Sequence, residues 1–169
     1  MHDVIVRLAE ARDDAAVGEL LVQSFLTAYA AKMPEVQLTE QRFRELRDMA
    51  AKRASATVLV AERAGEVVGT VMVYRPGHPL SEAWLPNAAD LRQLAVAPAH
   101  FGKGLAGPLL DAAENLAFGW GVAAICLHVR RGAHGVARLY AGRGFVRDPA
   151  GDMERPAVFL EAYVKRPSV

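Results

Sequence analysis

The sequence predicts a single-domain α+β protein, on three observations. Its 169 residues suffice for one domain with a buried core, and the hydrophobic (52%) and charged (23%) shares are those of an ordinary folded protein. Several segments alternate apolar and polar residues, as half-buried strands do. Others repeat apolar residues at the three- and four-residue spacing of a helix face. We therefore expect helices and strands combined in one domain that covers residues 1–169.

The N-terminal third predicts one strand and two helices. The strand covers residues 4–8, and Asp13 or Asp14 can cap the helix that follows. Met33-Pro34 ends this helix, and a second helix runs from Thr39 to about Arg53. The inner face of the first helix is predicted to carry Val17, Leu20, Leu21, Ser24, Phe25 and Ala28.

The remaining two thirds predict six further strands and two helices. The strands are expected at residues 57–63, 67–74, 123–129, 145–147 and 157–165, beside a central strand that begins near Asp90 and is closed by Pro98. The helices are expected at residues 105–120 and 134–143. A hairpin turn covers residues 64–66, and loops rich in turn residues cover 75–87 and 148–156.

The turn after the central strand has the features of an anion site. Glycines stand at positions 102, 104 and 107, immediately before an amphipathic helix. The first backbone N–H groups of a helix have no partner inside it, and the absence of side chains lets a phosphate approach them. Pro108 removes one N–H about one turn into this helix, so we expect a bend or a local irregularity there.

Two families use such a turn. Residues 102–107 fit the dinucleotide fingerprint G-x-G-x-x-G, but five residues separate Val96 from Gly102, and the next predicted strand ends in His128-Val129-Arg130 without the carboxylate that would bind a ribose. Leu94-Ala-Val-x-Pro98 followed by Gly102-x-Gly104-x-Ala106 instead resembles the coenzyme A pyrophosphate loop of the GCN5-related N-acetyltransferase (GNAT) family. Leu139-Tyr140-x-x-x-Gly144-Phe145 is similar to that family's closing helix and following strand.

The resemblance implies a fold, a cosubstrate and the residues that bind it. The fold is the GNAT-like acyl-CoA N-acyltransferase fold, a mixed central β-sheet flanked by helices, whose central strands splay apart. Acetyl-CoA would lie with its pantetheine arm along the backbone of Leu94, Ala95 and Val96. Its pyrophosphate would bind at the turn and helix start formed by Phe101, Gly102, Lys103, Gly104, Leu105, Ala106 and Gly107. Phe101 stands where the family usually has Gln or Arg, and Ala133 where it often has a coenzyme-contacting Asn; His100 could take over the lost phosphate contact.

Two side chains are candidates for proton transfer. Tyr140 matches the tyrosine with which similar enzymes protonate the departing thiolate; periodicity alone would make it a core residue. Asp90 stands where some members have a glutamate base, and it could act through a water if burial raised its pKa; the alternative is a solvated turn residue. His78, His100, His128 and His134 are rival bases on pKa grounds.

Composition and charge bear on which partners, metals and cellular location we expect. The net charge of +1 predicts no nucleic-acid partner, and the lack of a long apolar run predicts no membrane partner. Cys126 lies in an apolar run and is expected to be a buried, inert thiol. No cluster has metal-ligand spacing, so no metal is predicted, and without a signal peptide the expected location is the cytoplasm.

We therefore expect an acetyl-CoA-dependent N-acetyltransferase in which the amine attacks the thioester directly. The acceptor is either a small-molecule amine or a peptide amine, and a homodimer is left open. One alternative is a non-catalytic acyl-CoA-binding or sensor domain of the same fold, which the departures at Phe101 and Ala133 leave open. The other is a nucleotide-dependent oxidoreductase built on residues 102–107.

Overall fold

The computed structural model of the chain describes residues 3–27, 33 and 39–168. It divides into two compact units. The first unit comprises Met1–Val73 and Gln93–Asn115, and the second comprises Tyr74–Arg92 and Leu116–Val169. Strand β4 (Ala88–Val96) and helix α4 (Ala106–Gly119) each contribute residues to both units. A single domain over residues 1–169 stays a prediction.

The first unit contains antiparallel strands with helices around them. Strand β2 pairs on one side with β1 and on the other with β3, both antiparallel. β4 follows β3 in the sheet, where the Ala97 N–H donates to the Val68 carbonyl at 2.8 Å. The elements of this unit besides β4 and α4 are β1 (Val4–Leu8), α1 (Asp14–Phe25), α2 (Glu40–Arg47), α3 (Met49–Ser55), β2 (Thr57–Arg63) and β3 (Glu66–Tyr74).

The core of the first unit forms where these helices meet the strands. The predicted inner face of α1 is confirmed, since Val17, Leu20, Leu21, Ser24 and Phe25 are all buried. Gly69 of β3 lets α4 come close, because a Cβ there would lie 2.7 Å from Cδ1 of Leu109. This contact fixes the start of α4, and with it the glycine turn, against the sheet of this unit.

The second unit is a mixed arrangement of strands with one further helix. β4 runs parallel to β5, and the paired residues are Ala88, Ala89 and Asp90 with Ala124, Ile125 and Cys126. β8 pairs antiparallel with β5, β6 and β7. Its elements are β5 (Ala124–Arg130), α5 (His134–Gly142), β6 (Val146–Arg147), β7 (Met153–Arg155) and β8 (Val158–Lys165). One parallel pair among antiparallel ones confirms the α+β class with a mixed sheet.

Four local expectations need correction. The predicted helix 39–53 is two helices, because Asp48 has a non-helical backbone and its side chain caps α3 by accepting from the Ala51 amide at 3.3 Å. The loop 148–156 contains β7, whose pairing with β8 depends on residues outside the loop. β4 begins at Ala88, two residues earlier than expected. Pro108 lies in the first turn of α4, which begins at Ala106, and not one turn into the helix; its missing N–H therefore has no helical partner to lose, and this reason for a bend falls away.

Some expectations lie outside the described residues, namely those for Ala28 and Pro34. Within the described part of the chain, no helix is both long and apolar enough to cross a membrane.

Candidate functional site

The glycine turn predicted as an anion site has the backbone that such a site needs. Gly102 and Gly104 have φ angles of 76° and 75°, in the left-handed region that favours glycine. No atom lies within 4 Å of where a Cβ would stand at either position, and residues 101–104 are exposed. The turn thus opens to solvent immediately before the first amides of α4. Apart from the residues next to each glycine in the chain, no side chain stands within 4 Å of the Cβ position at Gly102 or Gly104 to hinder a pyrophosphate.

The turn is held from both ends. Pro98–His100 form one 3-10 turn, and the amides of Phe101 and Lys103 donate to the carbonyls of Pro98 and His100 at 3.2 and 3.4 Å. On the helix side, Leu105 is buried. The Lys103 amide is therefore already engaged, and the amides left for an anion are those of the glycines and of the start of α4.

The strand before the turn carries an irregularity at Gln93. This residue has a φ angle of 54°, the left-handed region in the middle of a strand, where a non-glycine residue is uncommon. Its Oε1 is buried, with no hydrogen-bond partner in the described part of the chain. Among the described residues, β4 pairs with β5 only as far as Asp90. The backbone groups of Leu94, Ala95 and Val96 therefore take no part in the pairing with β5.

Asp90 is completely buried inside β4, so its interpretation as a solvated turn residue is wrong. Its Oδ2 accepts hydrogen bonds from the Glu82 amide at 2.8 Å and from Nε of Arg92 at 2.8 Å. Its Oδ1 is buried without a partner among the described residues. Burial raises the pKa of Asp90, and the positive charge of Arg92 opposes that shift. The carboxyl therefore has one oxygen held and one oxygen open to a further donor.

Tyr140 lies in α5, with 5% of its surface exposed. Its ring meets the ring of Phe145 edge-on, with 5.4 Å between centroids. This packing confirms the core position that periodicity indicates, and the role in proton transfer stays a prediction. Asp90, Ala133 and Tyr140 belong to the second unit, whereas the glycine turn and residues 94–96 belong to the first.

The two departures from the family pattern have clear structural settings. Phe101 is 42% exposed, next to the glycine turn, and its side chain offers no hydrogen-bond donor there. Ala133 precedes α5 at its N-cap position without a side-chain cap. The expected substitute, His100, has a buried Nδ1 with no partner among the described residues.

The rival histidine bases His78 and His128 are engaged in loop contacts. Nδ1 of His78 accepts from the Leu80 amide at 3.0 Å. Nε2 of His128 lies 2.8 Å from the Gly151 carbonyl, and its ring centroid lies 5.2 Å from that of Trp84. These contacts give both rings a structural role.

Two further expectations concern the thiol and metal binding. Cys126 is fully buried, as expected, and burial raises its pKa. Among the residues described, no group of three or more His, Cys, Asp or Glu side chains is arranged to hold a metal ion.

Arg92 is the main side chain that the sequence interpretation missed. Its guanidinium contacts Asp90, and its Nη2 lies 2.8 Å from Oε1 of Glu82. A signal was present, because residues i and i+2 of a strand point to the same face, and Asp-x-Arg therefore places opposite charges side by side. No comparable signal existed for Glu82, which lies in the predicted loop 75–87.

Comparison with known proteins identifies the family. The model of the acetyltransferase (GNAT) family matches residues 19–145. No curated relative matches the sequence significantly.

Solved structures agree in fold at low sequence identity. PaiA N-acetyltransferase from Thermoplasma acidophilum, in complex with coenzyme A, has a TM-score of 0.69 at 17% identity, with 95% of this chain and 98% of that chain covered. The ribosomal-protein-alanine N-acetyltransferase of Brucella melitensis has a TM-score of 0.69 at 22% identity, with 96% and 99% covered. The Salmonella typhimurium protein yncA, with its cofactor acetyl-CoA, has a TM-score of 0.66 at 21% identity, with 97% and 94% covered. The family match spans well over half of the sequence, so the chain belongs to the GNAT acetyltransferase family.

Proposed function

We propose that the chain is an acetyl-CoA-dependent N-acetyltransferase, which transfers the acetyl group to a primary amine by direct attack in a ternary complex. The observation that carries this proposal is the exposed, left-handed turn at Gly102 and Gly104 in front of α4, in a chain of the GNAT family. Two of the structural neighbours contain coenzyme A or acetyl-CoA.

The residues around the turn fit the coenzyme. We assign the pyrophosphate to the amides of the turn and of the helix start, where the unpaired N–H groups and the helix dipole favour negative charge. Lys103 is exposed and adds a positive charge near the turn, whereas the Leu105 side chain is buried and anchors the end of the turn. The backbone of Leu94, Ala95 and Val96 would pair with the pantetheine arm, and one of its amides would donate to the thioester oxygen. The other members of this proposed set are Phe101, Ala106, Gly107 and Ala133.

The coenzyme would supply a thioester, and the chain would supply the proton transfers. Asp90 has an unpartnered, buried Oδ1, which can accept a proton from the amine through one water. Tyr140 would donate its phenolic proton to the departing thiolate, because a phenol is protonated at neutral pH. Neither residue would form a bond to the acetyl group. The acceptor, a small-molecule or peptide amine, and a homodimer remain predictions, as does the cytoplasmic location.

Thiol release tests this proposal against the two alternatives. The purified protein is titrated with acetyl-CoA and with NAD by calorimetry, and free thiol is then followed with a panel of primary amines. Binding of acetyl-CoA with amine-dependent thiol release supports the enzyme. Binding of acetyl-CoA without release for any amine would favour the sensor domain. Binding of NAD alone would favour the oxidoreductase.

A further inference from the structure

Arg92 joins three parts of the second unit through one guanidinium. It reaches Oδ2 of Asp90 with Nε at 2.8 Å and with Nη2 at 2.7 Å. The same Nη2 donates to the Leu80 carbonyl at 2.6 Å and lies 2.8 Å from Oε1 of Glu82. The guanidinium also lies 4.9 Å from the ring centroid of Tyr74, in a cation–π contact. Arg92 therefore fastens residues 80–82 to β4 at the candidate base.

The network around Arg92 is balanced in charge. Asp90 and Glu82 supply two carboxylates, and Arg92 and Arg155 supply two guanidinium groups, since Nη2 of Arg155 donates to Oε2 of Glu82. Without Arg92, this fully buried carboxylate would keep, among the described residues, the Glu82 amide as its one donor, and it would face the Glu82 carboxylate with no cation between them. A buried, unpaired charge is strongly disfavoured.

The two carboxyl oxygens of Asp90 differ in their hydrogen bonds. Oδ2 receives every hydrogen bond that the structure shows for this carboxyl among the described residues, whereas Oδ1 is buried and has no partner there. Buried polar atoms normally accept or donate a hydrogen bond, so Oδ1 is the oxygen of this carboxyl that can accept from a further donor. The fork of an arginine can hold Oδ2 through two nitrogens, which leaves Oδ1 as the acceptor for that donor.

We propose that Arg92 is a positioning residue, which holds Oδ2 of Asp90 in place and thereby directs Oδ1 to the water or amine from which a proton is taken. This inference rests on the proposed function, because it concerns the proposed base. The inference also includes residues 80–82 among the groups that position Asp90. The Glu82 amide bonds Asp90 directly, and the Glu82 carboxylate and the Leu80 carbonyl hold Arg92.

The charged and titratable groups that face Asp90 set the sign of the expected effect. These groups are Arg92 on the same strand as Asp90, Glu82 on the loop, and the thiol of Cys126 on β5, where Cys126 is the register partner of Asp90. Burial is the largest influence and raises the pKa of Asp90; Arg92 and the hydrogen bond from the Glu82 amide lower it, and the Glu82 carboxylate raises it. Removal of Arg92 must therefore raise this pKa, and the acidic limb of the pH–rate profile must move to higher pH.

Carboxyl titration tests the inference without using activity. The Asp90 carboxyl carbon is followed by ¹³C NMR as a function of pH in wild type, Arg92→Gln and Arg92→Lys, with Asp90→Asn for assignment. We expect Arg92→Gln to raise the titration midpoint by roughly one pH unit or more, the usual size for a close opposite charge. Arg92→Lys keeps the charge without the fork, so its midpoint should lie between the other two. Arg131→Gln is the control, because Arg131 also pairs with a glutamate and stacks on an aromatic ring but does not face Asp90.

The outcomes separate this inference from the proposed function. A folded Arg92→Gln protein whose Asp90 midpoint equals that of wild type would overturn the inference; if that variant does not fold, an unchanged midpoint in Arg92→Lys does so. A raised midpoint, together with an acidic limb of kcat that moves by the same amount, supports it. If the midpoint rises but Asp90→Asn turns over at the wild-type rate, Arg92 still positions the carboxylate, and Asp90 is not the base.

Discussion

The indole nitrogen of Trp84 donates a hydrogen bond to Oδ2 of Asp148 at 2.8 Å, between residues 64 positions apart in the sequence. Gly151 lies against the same indole, because a Cβ there would come within 2.2 Å of the ring. These contacts join the loop 75–87 to the turn at Pro149–Gly151, and we predict, from the resemblance to the family, that both segments shape the acceptor site. Trp84 therefore acts first as a structural link between these loops.

Trp84→Phe should loosen this link while keeping a ring in place. The loss of the N–H leaves Oδ2 of Asp148 without its donor, and we expect the free energy of unfolding to fall by about 1–2 kcal/mol. The KM for the amine should rise, with little change in acetyl-CoA affinity. Chemical denaturation and steady-state kinetics measure both effects. Trp120→Phe keeps a ring under the Arg75 guanidinium and is the control. Equal KM values in all three proteins would show that this link does not shape the acceptor site.

Gly104→Val should block the proposed pyrophosphate site. The side chain would fill the open space above the turn, and the left-handed backbone disfavours a β-branched residue. We expect acetyl-CoA to bind roughly tenfold more weakly or worse, which corresponds to about 1.4 kcal/mol.

Gly65→Val is the matched control for Gly104→Val. Gly65 has a φ angle of 81° in the β2–β3 turn, and likewise no atom lies within 4 Å of the position that a Cβ would occupy. It should show a similar loss of stability and unchanged acetyl-CoA binding by calorimetry. If a folded Gly104→Val protein binds acetyl-CoA as the control does, the site lies elsewhere.

Tyr140→Phe should remove the proposed acid and keep the packing, because the ring and its edge contact with Phe145 remain. General-acid assistance contributes on the order of a hundredfold, so kcat should fall by about that factor, with acetyl-CoA affinity nearly intact. The loss should shrink with an acyl donor whose leaving thiol is more acidic. A wild-type rate under conditions where chemistry limits turnover would leave Tyr140 as a core residue only.

Asp13 makes a testable contribution to acid stability. Hydrogen bonds from Arg7 at 2.8 and 3.0 Å lower the pKa of this buried carboxyl from 3.8 to about 2. A lowered folded-state pKa stabilises the protein above the unfolded value, and the stabilisation is lost as the pH falls from about 4 to about 2. The shift corresponds to roughly 2 kcal/mol at neutral pH. The difference in unfolding free energy between wild type and Asp13→Asn should therefore shrink across this window, whereas a constant difference would contradict the assignment.

The elements that could be predicted are those set by local pattern. β1 and β2 have the predicted bounds, because alternation and flanking turn residues mark both ends. The misses have non-local or competing causes. β7 forms through its pairing with β8. Asp48 divides the predicted helix because its side chain accepts a hydrogen bond from the Ala51 amide and so caps a new helix. Periodicity carries neither kind of information.

The candidate site divides in the same way. The glycine turn could be placed from its spacing, because left-handed backbone requires those residues. The surroundings of Asp90 could be predicted only in part, since Arg92 lies two residues away on the same strand whereas Glu82 arrives from a loop. The link from Trp84 to Asp148 spans 64 positions and had no local signal.

The most direct test of acetyl transfer is a mass balance at initial velocity. The concentrations of acetyl-CoA and of an active amine are varied together, while free thiol and acetylated amine are counted in the same samples by absorbance and mass spectrometry. We expect one acetylated amine for each thiol released, with intersecting double-reciprocal lines, because the amine attacks the thioester in a ternary complex. Thiol release without acetylated amine, or parallel lines with an acetylated enzyme, would contradict direct transfer to the amine.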